Sequence, residues 1–241
     1  MNRGKFFLLL ILVSIAVMGY AQRHNHQLIQ AYPSIGFTVS QIEGDELKGF
    51  KKWGVTTGVG AMVNLSPSEM FKMSVEADFT QRGTFNNSGT PYSLYDFTLN
   101  YVDIPLMFHF QEPVGGVEFG LGVNYGRLVQ QPHGLLKYNP LALMPDTSNL
   151  SFLKNDFAIV ANLRFTIWNG LKFDLRYHRS ILPIKRQWQF TEHINAQETN
   201  TWYNDCYNQS VSVRLLYVFG DDGHKPKAGY YRHHHSKKRR R

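Results

Sequence analysis

Three groups of residues have the chemistry to do work, and their spacing decides which kind. His178-Arg179-Ser180 sets an imidazole and a hydroxyl at i and i+2. On a β-strand such a pair shares a face. A serine nucleophile needs a base in hydrogen-bond contact and an acid that orients the base. His178 shares parity with Asp174 and Arg176, so the pair reads as polar filling, and no catalytic residue is assigned. The second group is His224 with His233-His234-His235, followed by Ser236 and the cations Lys237 to Arg241. Consecutive imidazoles lack the ligand spacing of a structural metal site, and the cations beside them oppose a metal ion. This segment reads as a basic tail without metal or cofactor. Phosphate-loop, zinc-finger and dinucleotide spacings are absent from the sequence.

The third group is a set of charges at alternate positions. Asp156 to His178 shows the pattern: Phe157, Ile159, Ala161, Leu163, Phe165 and Ile167 share one parity, and Asp156, Asn162, Arg164 and Thr166 the other. After Asn169-Gly170, Leu171, Phe173, Leu175 and Tyr177 alternate with Lys172, Asp174, Arg176 and His178. A period of two gives one apolar and one polar face. A two-residue turn at Asn169-Gly170 would mix the faces. A three-residue turn, Trp168-Asn169-Gly170, restores them and sets Ile167 opposite Leu171, Phe165 opposite Phe173 and Arg164 opposite Asp174.

The same alternation predicts eight strands, near 32–41, 55–65, 70–82, 97–110, 116–129, 156–167, 171–182 and 207–219. Pro105 predicts a bulge. The connections run long, short, long, short, long, short, long, and the last long one covers Pro183 to Cys206. All short turns then fall at one end of an up-and-down sheet. Eight tilted strands of about ten residues, closed on themselves, suit a bilayer span. The predicted fold is all-β, an eight-stranded antiparallel transmembrane β-barrel. Its lumen is expected to be filled by Glu76, Asp78, Asp103, Glu118, Arg164, Lys172, Asp174, Arg176 and Arg214, and Gly58, Gly60, Gly120, Gly122 and Gly126 to make room. Tyr32, Trp53, Trp168, Tyr217 and Phe219 are expected at the membrane interfaces.

Charge and hydropathy agree with this. Mean hydropathy is −0.32 and the pI about 9.5. Of the 26 basic and 18 acidic residues, the first 21 positions hold two basic ones, and residues 220–241 hold eight basic and two acidic. The body from 22 to 219 is therefore neutral, with 16 of each sign, which argues against nucleic acid as a partner. Arg3, Lys5 and the apolar run Phe6 to Met18 read as a secretory signal with cleavage between Ala21 and Gln22. The expected organisation is signal 1–21, lead-in 22–31, barrel 32–219 and basic tail 220–241. Cys206 is the sole cysteine, so no internal disulfide forms.

Several stretches resemble the PorT-like outer-membrane β-barrel family of Bacteroidetes: Gly36-Phe37-Thr38, Ser40 to Asp45, Gln81-Arg82-Gly83, Tyr101 to Leu106, and Arg176-Tyr177 with Ser180 to Ile184. The resemblance spans about 32–219. It implies an outer-membrane barrel of a Gram-negative cell, and for the founding member an association with type IX protein secretion. His178-x-Ser180 also resembles the His-x-Ser of outer-membrane lipid A deacylases, a reading that lacks a lipid-facing site here. The expected function is structural or surface-binding, through long external loops, with termini in the periplasm. Trp188, Phe190, Trp202 and Tyr203 are the expected binding aromatics. Expected partners are outer-membrane lipid and envelope or secretion proteins, with no small-molecule substrate and no enzymatic activity. The tail is expected to touch an anionic envelope partner. Deleting Gly223 to Arg241 should weaken membrane retention or remove a pull-down partner in a salt-dependent way, and unchanged retention and partners would refute it.

Overall fold

A computed structural model describes residues 29–45, 49–66, 70–87, 94–112, 116–137, 144–145, 151–193 and 199–220. The signal with Ala21 and Gln22, and the tail from 221, lie outside the described residues. The described residues form ten strands: β1 (Ile29–Glu43), β2 (Lys52–Asn64), β3 (Phe71–Asn87), β4 (Leu94–Gln111), β5 (Val117–Lys137), β6 (Met144–Pro145), β7 (Asn155–Trp168), β8 (Leu171–Ser180), β9 (Lys185–His193) and β10 (Thr199–Tyr217). Eight of them close an antiparallel barrel in the order β1-β2-β3-β4-β5-β7-β8-β10, and β10 returns to β1 with Phe37 opposite Val213. Closure leaves no free edge across the barrel wall. Among the described residues no helix is long and apolar enough to cross a membrane.

The outer wall is apolar. On β5, Phe119, Leu121, Val123 and Tyr125 are exposed, and on β4 so are Val102, Ile104, Leu106, Phe108 and Phe110. On β7 the outward row runs from Phe157 to Ile167, which matches the ~9–11 residues of a tilted bilayer span. Trp53, at the start of β2, and Trp168, at the β7–β8 turn, are 71% and 74% exposed and mark the two edges of the belt. Above the belt the outward residues turn polar. Tyr125 and Arg127 both donate to Asn155 Oδ1 (3.1 and 2.6 Å), and Arg179 Nη2 donates to Glu43 (3.0 Å). Soluble monomers rarely leave so continuous an apolar surface to water. The wall is built for hydrocarbon.

Four features depart from the sequence reading. Trp168 pairs with Leu171, so the turn is the two residues Asn169-Gly170, with Gly170 at φ 73°. The faces stay in register because the ladder shifts between Thr166 and Trp168, which restores Arg164 opposite Asp174 and Phe165 opposite Phe173. Face matching required one extra residue, and a bulge supplies it in place of a longer turn. Pro105 produces no bulge: Val75 opposite Leu106 and Asp78 opposite Asp103 keep one register across it. The strand predicted from Tyr32 starts at Ile29, so residues 29–31 belong to the barrel.

The fourth departure is at the rim opposite the short turns. Much of what reads as long loop is strand. β3 and β4 continue to Asn87 and from Leu94, β5 runs to Lys137, and Pro183 to Cys206 contains β9 and the first part of β10. β9 pairs with β10 (Trp202 opposite Phe190) and β6 with β9, which forms a second small sheet beyond the wall. Irregular composition hid these strands, since neither face of a projecting hairpin needs the clean alternation that lipid imposes.

The belt predicts its own cost profile. Leu121→Arg, in mid-belt and 62% exposed, should lose about 2–4 kcal/mol of folding free energy in liposomes, whereas Leu65→Arg at the short-turn rim should lose about 0–1. Urea titration of bilayer-inserted protein reads both, and equal losses would refute the placement of the belt.

Candidate functional site: a sealed ion-pair core

The inward parity carries the charges, and barrel closure brings them together from six strands. Glu76 on β3 is the hub. Its carboxylate accepts from Arg164 Nη2 (2.8 Å), Arg176 Nη2 (2.7 Å) and Arg214 Nη1 (2.9 Å). Asp174 accepts from Arg164 Nε and Arg214 Nε, each at 2.9 Å. Asp78 accepts from Arg176 Nη1 and Arg214 Nη1, each at 3.0 Å. Three guanidiniums and three carboxylates thus form one alternating cluster. The planar fork of arginine suits this, because one side chain can bridge two acids. Tyr32 donates to Glu76 Oε1 at 2.8 Å, and its ring lies 5.3 Å from the Arg164 guanidinium carbon.

Two smaller clusters flank this one. Towards the short turns, Lys172 and Lys72 both reach Glu118 Oε1, Lys72 at 3.5 Å. Ser74 Oγ lies 2.8 Å from His109 Nε2. Towards the long strands, Arg82 Nη2 donates to Asp103 Oδ2 (2.5 Å) and its Nη1 lies 3.5 Å from Asp156 Oδ2. Asp156 also accepts from Ser180 Oγ (2.6 Å) and Asn208 Nδ2 (2.9 Å), and Asp103 from Asn124 Nδ2 (3.0 Å). A space of about 20 Å³, enough for about one water molecule, lies between the central and upper clusters.

The nine expected lumenal charges all lie in this interior, between 0 and 7% exposed. Lys72, Arg82 and Asp156 complete it, giving six cations and six carboxylates. Strand alternation marks all three as inward: Lys72 and Arg82 share the parity of Glu76 on β3, and Asp156 shares that of Arg164 on β7. Exact balance of sign matters here, since an unpaired charge in so dry a site is costly.

Both ends are closed by apolar side chains. At the short-turn end Tyr32, Met62, Leu216 and Val218 cluster, all buried. Tyr32 is therefore not an interface anchor: it turns inward over Gly60, where a Cβ would meet its ring. At the other end Ile42, Phe97, Leu99, Tyr101, Leu128 and Phe152 pack with Ile184, Trp188, Phe190 and Cys206. Ring centroids lie 5.8 Å apart for Phe152–Trp188 and 5.2 Å for Trp188–Phe190. Trp188 and Phe190, expected as exposed binding aromatics, are thus plug residues at 2% and 1% exposure. They are on β9, which folds inward behind Ile184 instead of looping out. Trp202 stacks on Phe190 at 6.3 Å and is half-buried, while Tyr203 is 60% exposed.

Among the described residues, His178 and Ser180 do not form a nucleophile–base pair. Ser180 donates to Asp156, and His178 Nε2 lies 3.3 Å from Asn124 Nδ2, so base and hydroxyl are not in the order that proton abstraction needs. Among the described residues no group of three His, Cys, Asp or Glu side chains has the geometry to hold a metal ion. What the arrangement can do chemically is brace the wall from within. Glu76→Gln leaves the interior one charge out of balance and should cost about 3–5 kcal/mol of folding free energy, against less than about 1 for Glu43→Gln in the exposed pair with Arg179. Equal effects in urea titration would show that the core does not hold the wall.

Among solved structures the chain is similar to Ail, the attachment invasion locus protein of Yersinia pestis, solved with the heparin analogue sucrose octasulfate (14% identity, TM-score 0.43, 79% of this chain and 99% of that chain). It is similar also to Neisserial surface protein A (13%, 0.41, 78% and 96%). A third is the outer membrane protein OprG from Pseudomonas aeruginosa (12%, 0.33, 78% and 95%). No curated protein matches the chain. The family model described as the outer membrane protein beta-barrel domain matches residues 7–219. The closed barrel, its apolar belt and this match agree, and the chain belongs to the outer membrane protein beta-barrel domain family.

Proposed function

We propose that this protein is a non-conducting, non-enzymatic outer-membrane barrel that presents a β-built platform outside the cell for binding another molecule. The observation that carries the reading is the sealed interior. Twelve charged side chains are neutralised within the barrel, with an apolar plug at either end. A diffusion pore would keep those charges wet; an eight-stranded barrel is about wide enough only for its own side chains. The chain's remaining investment is in the strands that pass beyond the belt. The tips of β3, β4 and β5 and the small sheet β10-β9-β6 give a semi-rigid surface, which suits recognition better than free loops do. In this reading the long-strand rim is extracellular and the short turns are periplasmic, as in barrels of this type. The PorT-like resemblance supplies a competing role as an accessory in protein secretion, which the same experiment separates.

Purified protein in planar bilayers should show no steady single-channel conductance. A photo-crosslinking residue at Tyr203, exposed on β10 beside the plug, should capture a ligand from outside intact cells. A residue at Leu65, on the short-turn rim, should not. Steady conductance, or capture of secretion-machine proteins from Leu65 alone, would overturn the proposal.

A further inference from the structure

The outer wall has a notch where β8 and β10 part. The β8–β10 ladder ends at Gln209 opposite Arg179. Beyond it β10 shifts register between Asn204 and Cys206 and pairs with β9. The chain after Ser180 instead turns in towards the plug: Ile181 N donates to Phe157 O, and Ile184 is fully buried. Two strands that were neighbours below are therefore parted above, and the outer surface between them is a groove of about 800 Å³. That volume is within the range of clefts that hold organic ligands, about 300–1,000 Å³.

The groove crosses the edge of the belt. Its membrane side is lined by the outward-facing Ile159 and Tyr177, and Ile181, the next outward position beyond Arg179, walls it at the rim. Its other side is lined by Arg179, Glu43 and Asp205. Only an amphipathic occupant fits both halves, with hydrocarbon below and a polar group above. The charges select among such occupants. Two carboxylates flank one guanidinium, so the rim is net acidic and repels a headgroup that is only anionic. A headgroup with both a phosphate and an ammonium matches it, with phosphate at Arg179 and ammonium between Glu43 and Asp205. Glu43 accepts from Arg179 through both oxygens (3.2 and 3.0 Å) in an exposed pair that a headgroup can enter, and Asp205 Oδ1 accepts from Gln187 N (2.8 Å), a residue at φ 45°.

We propose that this groove seats one zwitterionic glycerophospholipid, its acyl chain along Ile159 and Tyr177 and its ammonium between Glu43 and Asp205. The inference rests on the membrane placement of the belt and not on the surface-binding role, so either can fail without the other.

Native mass spectrometry of the full chain released from detergent micelles provides the test, with phosphatidylethanolamine, phosphatidylglycerol of the same chains, and lipid A as probes. Phosphatidylethanolamine should be retained at one per barrel and in preference to the other two. Glu43→Gln with Asp205→Asn should lower that retention about tenfold, the scale of one lost charge-assisted contact, and leave phosphatidylglycerol unchanged or improved. Ile159→Trp, which fills the groove from a lipid-facing position, should abolish retention. Heat-modifiable gel migration identical to the parent protein confirms that each variant is folded. Equal retention of the two glycerophospholipids, preference for lipid A, retention of none, or folded variants that bind as the parent does would each overturn the proposal.

Discussion

The structure depends on the neutrality of its interior. A barrel in hydrocarbon has no water on its outer face, and this one admits little to its inner face. Any charge placed inside must be answered by another within reach. The chain meets that constraint with equal numbers of each sign and with arginines that bridge two or three acids at once. Glu76 is bound by guanidiniums from β7, β8 and β10, all on the far side of the sequence from β3. The cluster therefore ties opposite walls together through the lumen, while backbone ladders tie only neighbours.

Sealing follows from the same constraint. Ion pairs in contact with water are screened and worth little, and desolvated ones hold geometry more firmly. The two plugs keep the clusters dry. At the short-turn end the plug is small and made by Tyr32, whose hydroxyl joins the polar network and whose ring joins the apolar cluster. At the other end it is built from residues of the β4, β5 and β9–β10 extensions. Lys185 sits on its aromatic surface, 5.3 Å from the Phe152 ring and 5.4 Å from Trp188, with its ammonium 3.2 Å from Ser151 O. The projecting strands close the lumen with one face, and in the proposed reading their other face is the binding platform.

The outer wall differs from the core in kind. Lipid asks only for apolar atoms, so the belt tolerates variety in shape: Val, Leu, Ile, Phe and Met all serve. Specific features arise only where the wall is interrupted. The notch between β8 and β10 is such a place, and it exists because β10 passes from β8 to β9 between Gln209 and Cys206. Ser180 lines the notch and also donates to Asp156 inside, so a single residue separates the lipid-facing groove from the ion-pair core.

By itself the sequence determined what has a period of two. The eight wall strands, their apolar faces, the nine inward charges and the Arg164–Asp174 cross-strand pair were legible because lipid on one side and a polar lumen on the other leave alternation as a direct record. Tertiary structure decided everything that depends on closure or on irregular composition. Parity can say that Glu76, Arg176 and Arg214 point inward. It cannot say that they meet, because their contact spans about a hundred or more positions and exists only once β10 pairs with β1. Trp188 and Phe190 looked like exposed aromatics of a loop, and only the inward turn at Ile184 made them the plug. Tyr32 looked like an interface anchor, although it shares the inward parity of Ser34 and Thr38, and the gap over Gly60 opposite it leaves room for the ring inside. The β7–β8 turn shows both halves of the division: the faces dictated that one extra residue must be absorbed, and the folded backbone placed it in a bulge beside Ile167 and not in the turn.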